Sequence, residues 1–257
     1  NITAVFVLHL IKPFLKYHFV ALMFIQGLFV LSGCKNGSDS KEALEQLQPE
    51  APEYTAFSEV TAAAISSYFN EKHNANAFNG VVLIASKDSI YSHAFGLKRF
   101  EDTVALDTSD LFQLGSVTKP ITAFGLLHLL EEKQIPIQTK VKEILPLFYD
   151  DHITIEQLLN HTSGVGNYLY MTDSLWANPD SAIGNQEIQC YFEEGKIPAY
   201  YTPGKTFDYC NSNYALAASL IEVLSGMPFR EYMKERIFAP LHMHQTHYLD
   251  MKRKNSL

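Results

Sequence analysis

The sequence lacks the basic clusters and internal repeats that define several common classes of protein. Its 257 residues carry a formal net charge of −8, from 20 Lys and Arg against 28 Asp and Glu. Because binding to phosphates needs grouped Lys and Arg, and no such group is present, we expect no nucleic-acid partner. The apolar share of 47% and the charged share of 19% are typical of a globular protein rather than a disordered one.

Cysteine is also scarce, with three residues in the chain. Cys190 and Cys210 could pair in an oxidising compartment, but a sequence does not give the Cα separation that a disulfide needs. His242, His244 and His247 form another group of possible zinc ligands, yet no acidic partner or flanking ligand is obvious beside them. We therefore expect neither a metal nor a cofactor.

A long apolar run is missing as well. The run over residues 19–31 is shorter than the roughly 20 residues that span a bilayer. Lys12 and Lys16 precede it and small residues follow it, which is the pattern of a secretory signal peptide over residues 1–33. An uncleaved anchor helix is the alternative, and the interruption at Pro13 counts against it.

The end of this run, Leu31-Ser32-Gly33-Cys34, resembles a bacterial lipobox. In that pattern the signal is cut before the cysteine, whose thiol carries a lipid, so Cys34 is the expected lipidation site. Residues 34–55 are polar and are predicted to tether a domain formed by residues 56–257. The resemblance implies a lipid-anchored membrane protein of the bacterial cell envelope, on its periplasmic or surface side.

The first predicted element of the domain is an amphipathic helix over residues 57–72. Its apolar face is expected to include Val60, Ala64 and either Ser67 or Tyr68, which fall at helical spacing.

Two strands follow this helix, over residues 81–85 and 90–96, with Lys87-Asp88 as a hairpin turn. Residues 153–241 are then mostly helical in pattern. This order indicates an α+β fold in which an antiparallel sheet is begun before a helical region. No strand is predicted after that region, so we expect the later strands of the sheet to be missing.

A helix within residues 111–132 is central to the predicted fold. Pro120 lies near its start, where a missing N–H costs little. Its apolar side chains fall on nearly every face, which predicts a buried helix with Ser116 at its N-terminal end. These side chains are Phe124, Leu126, Leu127, Leu129 and Leu130.

Ser116 and Lys119 form a Ser-x-x-Lys pattern at the start of this helix. Residues three apart share a helix face, which places the amine beside the hydroxyl. A serine hydroxyl is a weak nucleophile until a neighbouring base takes its proton, so this pairing is typical of nucleophilic catalysis. The bare pattern also occurs at Ser32 and Ser38, but only Ser116 opens a predicted buried helix.

The block Thr202–Tyr214 carries a more specific signal, because it contains Pro-Gly-x-x-Phe-x-Tyr-x-Asn-x-x-Tyr with Tyr209 and Asn211. Together with Gly-Ser-Val-Thr-Lys, this block resembles the class C β-lactamase-related serine hydrolases and penicillin-binding proteins. The stretches 158–164 and 237–243 are similar to that family in the same order. The resemblance implies a β-lactamase/transpeptidase-like fold.

The same resemblance implies roles for the site residues. Ser116 is the expected nucleophile that forms an acyl-enzyme, Lys119 and Tyr209 the residues that handle its proton, and Asn211 the residue that orients Lys119 and binds the substrate amide. The expected substrate is a small molecule or a peptidoglycan-like compound with an amide or ester bond, such as a β-lactam or a D-amino-acid peptide. His161, in His-Thr-Ser-Gly, has the place of a structural residue.

One departure from the family pattern leaves alternatives open. Neither Lys-Thr-Gly nor His-x-Gly follows Tyr209 in this sequence. We therefore expect a domain that is incomplete at the C-terminus. A non-catalytic, envelope-anchored binding or sensor module, or an inactive fragment of an enzyme, is the alternative to a serine hydrolase.

Overall fold

The computed structural model describes residues 54–86, 88–99, 103–176 and 183–248, which divide into two compact units at Leu111 and Phe112. The predicted signal peptide, Cys34 and nearly all of the predicted tether lie outside these residues. The division into signal peptide, tether and domain therefore stays a prediction. Within the described residues, no helix is both long enough and apolar enough to cross a membrane.

The first unit consists of a small mixed sheet and one helix. Its elements are β1 (Thr55–Ala56), α1 (Glu59–Asn74), β2 (Gly80–Ser86) and β3 (Ser89–Phe95). Strands β2 and β3 are antiparallel and pair Ser86 with Ser89, which confirms the predicted hairpin. The short strand β1 was not predicted, and it joins β3 in parallel to give the order β1-β3-β2.

Helix α1 forms where the sequence predicts it, but it packs on a different face. Val60 and Tyr68 are 81% and 54% exposed, so the predicted apolar face is wrong. The side chains that contact the sheet are Ala62, Ile65 and Phe69, packed against Phe78, Val82, Tyr91 and Phe95. The Phe69 ring lies 5.1 Å from the Phe78 ring and 5.5 Å from the Phe95 ring. Burial of this large ring decides which face of the helix turns inward.

The second unit is helical, as predicted for this part of the chain. A 3₁₀ turn, Gly115–Val117, leads into α2 (Thr118–Glu132). The remaining helices are α3 (Val141–Ile144), α4 (Ile155–Leu159), α5 (Leu169–Leu175), α6 (Asn185–Glu193), α7 (Asn211–Ser225) and α8 (Phe229–Tyr232), and a π-helical turn over Met233–Phe238 follows them.

Helix α7 is the centre of this unit, since α2, α3, α4, α6 and α8 all pack against it. Leu216, Leu220 and Ile221 on α7 are completely buried. The helix ends at Gly226, whose φ of 69° is the left-handed conformation that glycine adopts at low cost. The pair Ser225-Gly226 is a helix stop signal in the sequence, and the helix ends at this pair.

Helix α2 is buried on one side only. Leu126, Leu129 and Leu130 lie in the core, whereas Phe124 and Leu127 are 50% and 43% exposed. The prediction of a helix buried on nearly all faces is therefore wrong for its outer side. Apolar side chains favour burial, but the elements that pack against a helix determine which of these side chains are buried.

The buried face of α7 gives a direct test of this packing. Leu220→Ala is expected to lower the free energy of unfolding by about 2–5 kcal/mol, because it leaves a cavity in the centre of the unit. Val223→Ala is the matched control on the same helix, where the side chain is 51% exposed, and it is expected to change stability by less than about 1 kcal/mol. Chemical denaturation measures both, and equal losses would contradict a core centred on α7.

Candidate active site

The N-terminal ends of α2 and α7 bring together the four residues that the sequence predicted as a site. Ser116 lies in the 3₁₀ turn before α2, and Lys119 is the second residue of α2. Tyr209 stands two residues before α7, and Asn211 is its first residue. Because α2 packs against α7, these four side chains meet within the second unit.

Three short contacts connect the polar atoms of this cluster. Lys119 Nζ donates to Ser116 Oγ at 3.3 Å and to Asn211 Oδ1 at 2.7 Å. Tyr209 Oη donates to Ser116 Oγ at 2.6 Å. Ser116 Oγ therefore stands between the amine and the phenol, while Asn211 holds the amine in place.

The electrostatics of the cluster favour ionisation of Tyr209. Hydrogen bonding with the Lys119 amine is the main cause, and the hydrogen bond with Ser116 adds to it, so that the pKa of Tyr209 is lowered. The Lys119 nitrogen is also 4.7 Å from the centre of the Tyr209 ring and 5.8 Å from that of Tyr214. Both rings supply negative π-faces to the cation. A phenol with a lowered pKa, 2.6 Å from a serine hydroxyl, is well placed to exchange a proton with it.

The backbone around Ser116 also matters for the chemistry. The first N–H groups of a helix have no intrahelical partner and carry partial positive charge. Gly115 has a φ of 53°, which turns the chain sharply just before the serine. The Ser116 N–H at this position is a suitable donor for an oxygen that becomes negative during reaction.

The His-Thr-Ser-Gly stretch supports the segment that carries Tyr209. The backbone N–H groups of Asp208, Gly204 and Tyr200 donate to the carbonyl oxygens of residues 161, 162 and 164, at 2.9, 2.7 and 2.8 Å. Gly164 has a φ of 76°, and a Cβ there would lie 2.1 Å from the Tyr201 carbonyl oxygen. The close approach of the two segments therefore requires glycine at this position.

Two buried polar residues of α7 were not identified from the sequence. Ser212 Oγ donates to the Gly166 carbonyl at 2.6 Å and accepts from the Tyr168 N–H at 2.8 Å. Asn213 accepts a hydrogen bond from Ser163. Their signal is the run Asn211-Ser212-Asn213, which places polar side chains at the start of an otherwise apolar helix. Such residues are retained in a core only when their hydrogen bonds are satisfied.

The cysteines and histidines do not form a further site among the described residues. Cys190 is exposed, Cys210 is buried, and both are free thiols. Burial raises the pKa of the Cys210 thiol, which keeps it protonated. Across residues 54–86, 88–99, 103–176 and 183–248, no three His, Cys, Asp or Glu side chains group in a way that would hold a metal ion.

The fold and the site are those of a known protein family. A family model described as Beta-lactamase matches residues 65–252. The chain belongs to this beta-lactamase family, as the motifs around Ser116 and Tyr209 imply.

Two curated relatives indicate which kinds of protein share the sequence. A penicillin-binding protein of Bacillus subtilis (strain 168) is 38% identical over 177 residues, which cover 68% of this chain and 38% of the relative. A D-aminopeptidase of Brucella anthropi is 25% identical over 163 residues, 63% of this chain and 31% of the relative. The chain thus spans well under half the length of these relatives.

Solved structures confirm the predicted fold class. A penicillin binding protein from Bacillus halodurans superposes with a TM-score of 0.60 at 21% identity, covering 72% of this chain and 58% of that one. A D-amino acid amidase from Ochrobactrum anthropi SV3 superposes with a TM-score of 0.55 at 25% identity, covering 71% and 52%. The protein has an α+β fold of the β-lactamase/transpeptidase type.

Proposed function

We propose that this protein is a serine hydrolase that opens an amide or ester bond through an acyl-enzyme on Ser116. The observation that carries the proposal is the position of Ser116 Oγ, 2.6 Å from Tyr209 Oη and 3.3 Å from Lys119 Nζ. Two groups therefore lie within hydrogen-bonding distance of the nucleophile: one that can take its proton, and a cation that favours the ionised form of that group.

Acylation begins when Ser116 Oγ attacks the substrate carbonyl carbon. Its proton passes to the Tyr209 phenolate as the O–C bond forms, and the carbonyl oxygen becomes an oxyanion beside the Ser116 N–H. The intermediate then collapses, the bond to the leaving group breaks, and Tyr209 returns the proton to the leaving nitrogen or oxygen. Lys119 keeps the phenolate favourable throughout, and Asn211 Oδ1 holds Lys119 at 2.7 Å.

Deacylation uses the same groups in the opposite direction. A water molecule gives a proton to Tyr209 and attacks the ester carbonyl. Collapse of this second intermediate releases the acid, and the proton passes to Ser116 Oγ. Ser116 and Tyr209 are both exposed, so water and substrate have access to the reacting atoms.

The names of the relatives support a class of substrate for this proposal. Names of the relatives include a penicillin-binding protein, a D-aminopeptidase and a D-amino acid amidase. They support a compound with a strained amide, or an amide of a D-amino acid, as the substrate of this chain. A small ester remains within the same chemistry, because one fold serves many substrates.

The test is covalent capture followed by turnover. The chain is incubated with a fluorescent penicillin, denatured, and analysed by intact mass and peptide mapping. We expect an adduct with the mass of the whole antibiotic on the peptide that carries Ser116. Nitrocefin, a peptide ending in D-Ala-D-Ala, D-alanine p-nitroanilide and p-nitrophenyl acetate then separate the substrates. No adduct, and no turnover of any of the four, would refute the proposal.

A binding or sensor module that uses the same cluster without forming an acyl-enzyme is the second candidate, and the same incubation with penicillin distinguishes it from a hydrolase. Saturable penicillin binding without a gain in mass supports this candidate, and an adduct on Ser116 excludes it.

Anchoring through Cys34 is a separate proposal that rests on the lipobox pattern. Cys34→Ser is expected to move the expressed protein from the membrane fraction to the soluble fraction and to abolish incorporation of radiolabelled palmitate. Cys190→Ser, at an exposed free cysteine, is the control and is expected to change neither result. Palmitate incorporation that survives Cys34→Ser would place the anchor elsewhere.

A further inference from the structure

His161 is a buried histidine directly beneath the site. It follows α4, has a φ of 58°, and is 9% exposed. The centre of its ring lies 4.6 Å from that of Tyr209 and 5.3 Å from that of Tyr214. Its carbonyl oxygen accepts from the Asp208 N–H at 2.9 Å. Both its ring and its backbone therefore contact the segment that carries Tyr209.

The hydrogen bonds of the ring define its protonation state. His161 Nδ1 accepts from the backbone N–H of Cys210 at 3.2 Å. A backbone N–H can only donate, so Nδ1 must present a lone pair, and the proton of the neutral ring must lie on Nε2. The geometry thus selects one tautomer without any assumption about side-chain amides.

A second donor points at the same nitrogen. Asn213 Nδ2 lies 3.0 Å from His161 Nδ1. The other end of this amide accepts from Ser163 Oγ, which leaves the Asn213 NH₂ to donate to the ring. A proton on Nδ1 would face two N–H groups, and both would lose their acceptor in a buried environment.

We propose that His161 is a positioning residue for Tyr209 that works only as the neutral Nε2–H tautomer, so that protonation of the ring displaces Tyr209 from Ser116 and stops acylation in acid. This inference rests on the proposed function, because it assigns Tyr209 the role of proton acceptor. The link is covalent and short: the Cys210 N–H held by the ring belongs to the peptide bond that follows Tyr209.

The charged and titratable groups around the ring determine where this change occurs. Burial lowers the pKa of His161, and the positive charge of Lys119 on α2 lowers it further, while Asp208 on the neighbouring segment opposes them. Tyr209 and Cys210 also face the ring from that segment, and Tyr214 faces it from α7. The neutral form therefore persists below the ordinary value of about 6.5, and acylation is lost only as the pH falls through a lower value.

Two substitutions at His161 distinguish the effect of the hydrogen-bond acceptor from the effect of the aromatic ring. His161→Asn keeps an oxygen acceptor close to the place of Nδ1, cannot titrate, and tolerates a positive φ. His161→Gly also fits this φ but has no acceptor. Both remove the aromatic ring, so a difference between them reports the acceptor. The readout is the second-order rate constant for acylation by a fluorescent penicillin as a function of pH.

In the native chain, the decline of this rate constant on the acid side is expected to steepen by about one further factor of ten per pH unit below the pKa of His161. His161→Asn is expected to lack the steepening and to retain the plateau rate within about tenfold. His161→Gly is expected to be slower by at least about tenfold at every pH. An unchanged steepening in His161→Asn would overturn the proposal, as would equal plateau rates in the two variants.

A measurement without catalysis keeps this inference distinct from the proposed function. Imidazole ¹⁵N spectra of the chain, with its 10 histidines, assign His161 by the signal that His161→Asn removes. We expect an unprotonated Nδ1 and a protonated Nε2 at pH 7, with titration below pH 6.5. A proton on Nδ1 at pH 7 would overturn the tautomer and the inference. If the spectra agree but the native chain is never acylated, the proposed function fails and the positioning role fails with it.

Discussion

Replacing Ser116 by alanine is expected to abolish covalent labelling by penicillin and to lower turnover of any substrate by about 10⁴-fold or more. The variant removes the only atom that lies within hydrogen-bonding distance of both Tyr209 and Lys119 in the described site. Without Oγ no acyl-enzyme can form, and the remaining groups provide only electrostatic stabilisation. Ser116 is exposed, so the free energy of unfolding is expected to change by no more than about 0.5 kcal/mol.

The matched control uses the repetition of the pattern within the chain. Ser38 also precedes a lysine by three residues, yet it belongs to the predicted tether, which lies outside the described residues. Ser38→Ala is expected to keep full labelling and full turnover. Labelling is measured by gel fluorescence and intact mass, and turnover with the substrate that the native chain hydrolyses fastest. An adduct that persists in Ser116→Ala would show that another residue is the nucleophile.

The contact between Ser116 and Lys119 could be predicted from the sequence, because the two residues are close in the chain. Ser116 and Lys119 are separated by one helical turn, so their proximity follows from helix geometry once the helix is assigned. Tyr209 meets Ser116 across 93 positions of sequence. That contact depends on the packing of α7 against α2, which periodicity does not reveal. The family resemblance supplied it instead.

The fold shows the same division between local and long-range information. The hairpin between β2 and β3 and the helix stop at Gly226 are local features, and both can be predicted from the sequence. The buried face of α1 and the burial of Phe124 on α2 were predicted wrongly. Both depend on which other elements pack against the helix, and a pattern of apolar residues is compatible with more than one buried face.

The sequence indicated only a structural role for His161, whereas the structure connects this residue to the site. Its place in His-Thr-Ser-Gly indicates a structural residue, and in the structure it lies in a turn with a φ of 58°. Only the contact of its Nδ1 with the Cys210 N–H connects that turn to Tyr209. The spacing of residues in the sequence does not predict this hydrogen bond, because the bond depends on the conformation of a loop.

Tyr209→Phe is expected to slow acylation by about 10²–10⁴-fold, because it removes the group that takes the Ser116 proton. The ring stays in place beneath Lys119, whose nitrogen lies 4.7 Å from its centre, so packing is retained. The pH dependence carries the stronger argument. Because the phenolate is the reactive form, the native rate constant rises with pH and levels off near the pKa of Tyr209, which Lys119 holds below its ordinary value. In Tyr209→Phe this rise disappears.

Tyr214→Phe is the control for this prediction. Its ring also lies near Lys119, with 5.8 Å between the nitrogen and the ring centre, but its hydroxyl donates to the Leu159 carbonyl at 3.2 Å. We expect the rise with pH to survive in this variant, with the plateau rate within about tenfold of the native value. The rate constant is measured by stopped-flow fluorescence with a penicillin reporter. If the rise persists in Tyr209→Phe, another group takes the Ser116 proton, and Lys119 is the remaining side chain in hydrogen-bonding contact with Oγ. The two outcomes thus assign the base to one of the two neighbours of the nucleophile.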